Sequence, residues 1–99
     1  MNIKTKYLDM QKELLKEIIP EFEGVYEYED QIQERSYKVK VVFKDFKITK
    51  SGNLYVIFEN VSNDGQSSIR SESADDILSE KVTPYNYVGG SNKRKLENL

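Results

Sequence analysis

The stretch from Ser36 to Val61, SYKVKVVFKDFKITKSGNLYVIFENV, leaves this chain little freedom in what it folds into. Two runs rich in β-branched and aromatic residues flank Ser51-Gly52-Asn53, where Gly and Asn supply the positive φ of a tight turn. The pattern predicts a long antiparallel hairpin. In its first arm Tyr37, Val39, Val41 and Phe43 hold the odd positions, whereas Phe46 and Ile48 hold even ones. Side chains of a strand alternate with a period of two, so this change of phase requires an extra residue or a sharp bend between Val42 and Asp45. Strands bent in this way coil a small sheet towards closure.

The second arm, Leu54 to Phe58, is apolar at every position, which predicts a central strand covered on both faces, by a barrel interior and by a helix. The helix is supplied by the N-terminal segment. Ile3, Tyr7, Met10, Leu14 and Ile18 recur at helical spacing, with Leu8, Leu15 and Ile19 widening the stripe. A helix over residues 3–19 follows, capped by Asn2 or Thr5 and ended by Pro20, because a proline pushes the residue before it out of the α region. The stripe is expected to bury itself on the sheet of its own domain, with dimerisation or a partner groove as the other uses of such a face.

Phe22 to Asp30 alternates Phe22, Gly24, Tyr26 and Tyr28 with Glu23, Val25, Glu27 and Glu29, a half-buried strand with an acidic outer face, followed by a loop over Gln31 to Glu34. Asn63-Asp64-Gly65 marks a second hairpin turn, leading into a polar edge strand over Gln66 to Ser71 whose only large apolar residue is Ile69. Ser73-Ala74-Asp75-Asp76 resembles a capping box and opens a short helix carrying Ile77, Leu78 and Val82, stopped by Thr83-Pro84. Tyr85 to Val88 is expected to add a last short strand. From Gly89 the chain reads GGSNKRKLENL, which predicts a flexible tail.

These elements predict one domain over residues 1–88, an α+β, mainly β fold: an N-terminal amphipathic helix, then a small five-stranded, strongly bent antiparallel barrel of SH3-like or Tudor-like form, with one short helix before the last strand. Val25-Tyr26-Glu27-Tyr28 and Pro84-Tyr85-Asn86-Tyr87-Val88 resemble the ALYDY and PSNYV segments of SH3 domains. The resemblance implies the barrel. The chain has no tryptophan, so the paired Trp that helps line the proline-peptide groove of that family is missing.

Ninety-nine residues support one core and no second domain. Cysteine and histidine are both absent. That removes disulfides, thiolate ligands, the commonest general base and the commonest transition-metal ligand. Asp75 and Asp76 lack the D-x-D-x-D-G spacing of a calcium loop, and at a helix start they are explained by the helix dipole. The glycines fall at turns or in the tail and make no phosphate cradle. The expectation is therefore a non-enzymatic protein with no metal and no cofactor. No 18-residue apolar run or hydrophobic signal core is present, which points to the cytoplasm. A single alanine beside abundant Lys, Ile, Asn, Tyr and Glu is the bias of an AT-rich coding sequence, as in a low-GC bacterium or its phage.

Charge is segregated. Glu21 to Glu34 carries no basic residue, and Arg35 to Lys50 carries only Asp45 as an acid. Antiparallel pairing is expected to set Glu27 and Glu29 against Lys40 and Lys38, each cross-strand pair contributing about 0.2–1 kcal/mol. The acidic block from Glu59 to Glu80, relieved only by Arg70, has no such partner in sequence. With a net charge of −2, these acidic surfaces beside tyrosines point to a binding module that occupies a protein partner, such as a basic host protein, as an inhibitor or regulator of phage or mobile-element origin. Tyr26, Glu27, Tyr28, Glu29, Asp30, Asp75, Asp76, Tyr85 and Tyr87 are the contact candidates. The alternative is single-stranded nucleic-acid binding through Lys38, Lys40, Lys47, Lys93, Arg94 and Lys95.

Overall fold

The structure is a computed structural model and describes residues 3–30, 35–87 and 91–98. Helix α1 (Ile3–Phe22) leads into β1 (Gly24–Asp30), β2 (Arg35–Ile48), β3 (Leu54–Ser62) and β4 (Ser67–Ser73). Two short helices follow, α2 (Ala74–Leu78) and α3 (Pro84–Tyr87), and then β5 (Ser91–Asn98). All pairings are antiparallel, in the order β4-β3-β2-β1-β5. The α+β, mainly β class holds, with the N-terminal helix, five strands and a short helix after β4.

The sheet is not closed into a barrel. Among the described residues it has two edges, β4 and β5, and no ladder joins them. The bend expected between Val42 and Asp45 is present: Phe43 pairs with Phe58, Asp45 with Ile57, and Lys44 is the extra residue between them. One such bulge turns Phe46 and Val56 onto the same face as Phe43 and Phe58, but a single bend coils a sheet without closing it.

Two sequence expectations about the C-terminal third fail together. Of the short strand expected over Tyr85 to Val88, Val88 lies outside the described residues and the rest is helical: Pro84–Tyr87 is one helical turn, closed by the Tyr87 amide donating to the Thr83 carbonyl at 2.9 Å. Pro84 holds the first helical position, where its missing N–H is no loss. The fifth strand comes instead from residues 91–98, read from sequence as a flexible tail, which pair along β1 from Gly24↔Asn98 to Glu29↔Ser91 with two register irregularities. An edge strand satisfies its backbone by hydrogen bonding without needing a buried face, so polar composition does not betray it.

Helix α1 also runs further than expected, through Pro20 to Phe22. Pro20 lies on the exposed side in the last turn and deprives only the exposed Lys16 carbonyl of a partner, while Phe22 beyond it is buried. The core-facing residues are Gln11, Leu15, Ile19 and Phe22, one step round the helix from the stripe that begins at Ile3. They pack on Tyr26, Val39, Val41, Leu54, Val56 and Phe58, with Ala74, Ile77 and Tyr87 closing the end. At the centre Phe22 stacks on Phe58 at 5.4 Å, and Tyr87 meets both rings at 5.8 and 5.1 Å. Buried aromatics of this kind each remove enough apolar surface to stabilise the fold by about 3 kcal/mol or less.

All of this core lies on one face of the sheet. β3 was expected to be covered on both sides, but α1 and the sheet interior are the same layer. Tyr55, Ile57, Glu59 and Val61 point to the other face, where they are half-buried and belong to no part of this core.

Candidate protein-binding surfaces

The turns and short helices place the sequence-derived candidates unequally. Tyr26 is 4% exposed and Tyr87 1%, so both are core residues. The Tyr26 hydroxyl donates to the Phe22 carbonyl at 2.6 Å, and the Tyr87 hydroxyl donates to Asn60 Oδ1 at 2.8 Å. Burial pushes both phenols up to about 12. Neither ring reaches a partner. Tyr28 is half-buried and stacks on Tyr37 at 5.5 Å. With Val39, Asn60, Ser62, Gln66 and Arg70 it lines a cleft of about 300 Å³ on the inner face. The Arg70 side chain is committed within the molecule, with its guanidinium 4.5 Å from the centre of the Tyr87 ring, donating to the Tyr87 carbonyl at 2.6 Å and to Glu72 at 3.0 Å.

Asp75 and Asp76 are tied to other parts of the chain. Asp75 accepts from Gln11 Nε2 at 2.9 Å, which joins α2 to the buried polar side chain of α1. Asp76 is half-buried, and its carbonyl accepts the amides of Lys81 and Val82 at 2.9 and 3.1 Å. The block from Glu59 to Glu80 thus has one partner that sequence order conceals, Lys44 at 4.0 Å from Glu59, while Arg70 within the block lies 3.0 Å from Glu72. On β1 the register sets Glu27 opposite Lys38 and Glu29 opposite Ser36, two residues away from the expected pairing, while Lys40 faces Val25. Glu27 also faces Arg94 across the β5 ladder. The side chains of Asp30 and Tyr85 lie outside the described residues.

The basic candidates are similarly dispersed. Lys38, Lys40 and Lys47 are exposed on the outer face of β2. Lys95 is tied down, its Nζ donating to the Glu21 carbonyl at 2.8 Å and lying 5.6 Å from the Tyr26 ring centre, and burial lowers its pKa. The backbone of Lys93 and Arg94 is part of β5, and their side chains lie outside the described residues.

What the register does bring together is a set of residues that sequence patterning did not single out. On the outer face Val42, Glu59 and Ile69 form one row across β2, β3 and β4. Ile57 and Val61 stand two residues either side of Glu59 on its own strand. Glu59 is therefore a half-buried carboxylate ringed by Val42, Ile57, Val61 and Ile69, with Lys44 at the limit of ion-pair distance. Ile69 is 58% exposed. Tyr55 extends the apolar column, and Lys38, Lys40 and Lys47 border it on the β2 side. The sequence signal was the unbroken apolar run of β3, which asks for cover on both faces.

A second exposed apolar surface runs along α1, where Ile3 is 89% exposed, Tyr7 53%, Met10 58% and Leu14 53%. Among the described residues no group of three Asp or Glu side chains is arranged to hold a metal ion, and no helix is long and apolar enough to cross a membrane. No protein-family model, curated protein or solved structure matches the chain.

Proposed function

We propose that this protein is a non-catalytic binding module that acts by occupying a protein partner, and that the partner docks on the outer face of the sheet around Glu59. One observation carries the reading: a sheet face turned away from the core on which half-buried Val42, Ile57 and Val61 and exposed Ile69 surround a half-buried carboxylate. Interfaces combine an apolar centre with a polar rim, and this face has both, the rim being Lys38, Lys40 and Lys47. The carboxylate selects for cation. Its own neutralising partner, Lys44, stands 4.0 Å away and is half-exposed, which leaves Glu59 able to accept a better-placed arginine or lysine. The partner is thus a protein surface presenting a basic side chain among apolar ones, in keeping with a regulator or inhibitor that covers a working surface of its target.

Affinity capture from a bacterial lysate tests this, using the wild type, Ile69→Asp and Glu59→Arg, each first checked for an unchanged circular dichroism spectrum and melting temperature. Proteins retained by the wild type and lost from both variants support the reading. A capture profile the same for all three overturns it. Steeply salt-dependent retention of the wild type on single-stranded DNA, abolished by Lys38→Ala with Lys40→Ala, also overturns it in favour of nucleic-acid binding.

A further inference from the structure

The exposed stripe on α1 has a spacing of its own. Ile3, Tyr7, Met10 and Leu14 follow one another at intervals of four, three and four residues, the repeat of a coiled-coil seam rather than of a helix lying on a sheet. The core-facing residues Gln11, Leu15, Ile19 and Phe22 occupy the neighbouring face. α1 is therefore apolar on two adjacent faces and buries one of them.

The residues flanking the seam decide what covers it. On one flank Lys4 and Gln11 are engaged with the body of the molecule, Lys4 Nζ donating to the Ser51 carbonyl at 2.8 Å and Gln11 to Asp75 at 2.9 Å. On the other flank stand Lys6 and Glu13, each one residue before a seam position, and with Asp9, Met10 and Leu14 they line a shallow groove. Opposite charges seven residues apart on one flank are self-complementary in a single arrangement. When two copies of α1 cross antiparallel about a two-fold axis, Tyr7 meets Met10 of the second copy and Ile3 meets its Leu14. Lys6 then falls against Glu13 of the second copy, and Glu13 against its Lys6. A parallel pair would instead direct Lys6 towards Gln11, on the flank already used by the body.

We propose that a second copy of this chain covers the exposed face of α1, forming an antiparallel two-fold helix pair sealed by Lys6–Glu13 contacts between subunits. Glu13 already accepts from Lys16 within its helix at 3.0 Å, but both side chains are largely exposed and the carboxylate has a second oxygen to offer. The interface is isologous, as most homodimer interfaces are. Four seam layers make a small interface, so association is weak and reversible. The dimer leaves the outer face of the sheet open, because α1 lies on the opposite side, so each assembled pair presents that face twice.

Sedimentation equilibrium of the full chain between about 10 μM and about 1 mM tests the proposal across the range of weak dimers. The expected result is a mass rising from one chain to two. Leu14→Glu, an exposed position where folding is not at stake, is expected to weaken dimerisation at least tenfold. Lys6→Glu weakens it, and Lys6→Glu with Glu13→Lys restores it, a rescue that nonspecific association cannot reproduce. The chain has no cysteine of its own. Under mild oxidation, Tyr7→Cys chains mixed with Met10→Cys chains are expected to give more mixed disulfide dimer than either alone. A single-chain mass throughout overturns the proposal, as does a dimer indifferent to Leu14→Glu, or one that the double charge exchange fails to restore.

Discussion

The Tyr26 hydroxyl donates to the Phe22 carbonyl at 2.6 Å, and through it the first strand holds the last turn of α1 closed beyond Pro20. The same hydroxyl lies 3.3 Å from the Glu21 carbonyl, so one side chain serves two of the helix's terminal acceptors. Tyr26→Phe removes both bonds and keeps the ring. It is expected to cost about 1–2 kcal/mol in urea denaturation without changing the slope of the transition.

Tyr26 and Tyr87 also predict an alkaline limit. Burial raises both phenols from 10.0 to about 12. A raised folded pKa means that the stabilisation is complete below pH 10, the unfolded value, and is lost as the pH climbs through the folded one. Each ring is expected to withdraw about 1–2 kcal/mol across that window, allowing for screening at hydroxyl ends that are only partly enclosed. Denaturation at pH 8 and pH 11 reads about half of that loss, and the Tyr26→Phe, Tyr87→Phe double variant is expected to show a smaller difference between the two.

Gly52 is fixed by the turn and by its neighbour. Its φ is +86°, and a Cβ placed there would run into Cε and Nζ of Lys4. Gly52→Ala therefore meets two penalties, a left-handed backbone and a displaced lysine that loses its bond to the Ser51 carbonyl. The expected loss is about 1–2 kcal/mol. Part of it vanishes in the Lys4→Ala background, and a double-mutant cycle by thermal unfolding reads that part.

Glu80 occupies the position after a helix end that glycine usually takes. Its φ is +64°, and the amides of Glu80 and Lys81 donate to the carbonyls of Ile77 and Asp76 at 3.2 and 2.9 Å, the two bonds of a Schellman motif. Glu80→Gly relieves the left-handed strain and is expected to stabilise the protein by about 0.5–1 kcal/mol, seen as a raised melting temperature.

The parts of this fold that sequence discloses are those where a side chain must choose a face. The shift from Phe43 to Phe46 located the bulge because apolar residues on both sides of Lys44 had to reach the same core. The turns at Gly52 and Gly65 were visible because both glycines carry positive φ. What was misread depends on choices that composition leaves open. Residues 91–98 are polar either as a tail or as an edge strand, since the ladder to β1 is made by backbone groups. The stripe beginning at Ile3 and the one through Leu15 and Phe22 are both apolar, and only the docked helix shows which is buried. Closure failed to follow from bending, because a barrel needs its edges to meet, a property no local pattern encodes. The candidate site was legible in one respect: β3 asks for two covers and receives one. That the missing cover centres on Glu59 rather than on the tyrosines depends on register across three strands, which single-strand patterning does not reach.

The strand order also dictates a sequence of assembly. Three of the four ladders join strands that follow one another along the chain, so β1–β2, β2–β3 and β3–β4 each form by closing a short loop. The fourth brings Asn98 back to Gly24 across nearly the whole length of the polypeptide. Long-range closure is entropically slow until the intervening structure has shortened the path. The meander is therefore expected to form first, with β5 adding to its β1 edge after α2 and α3 have turned the chain back.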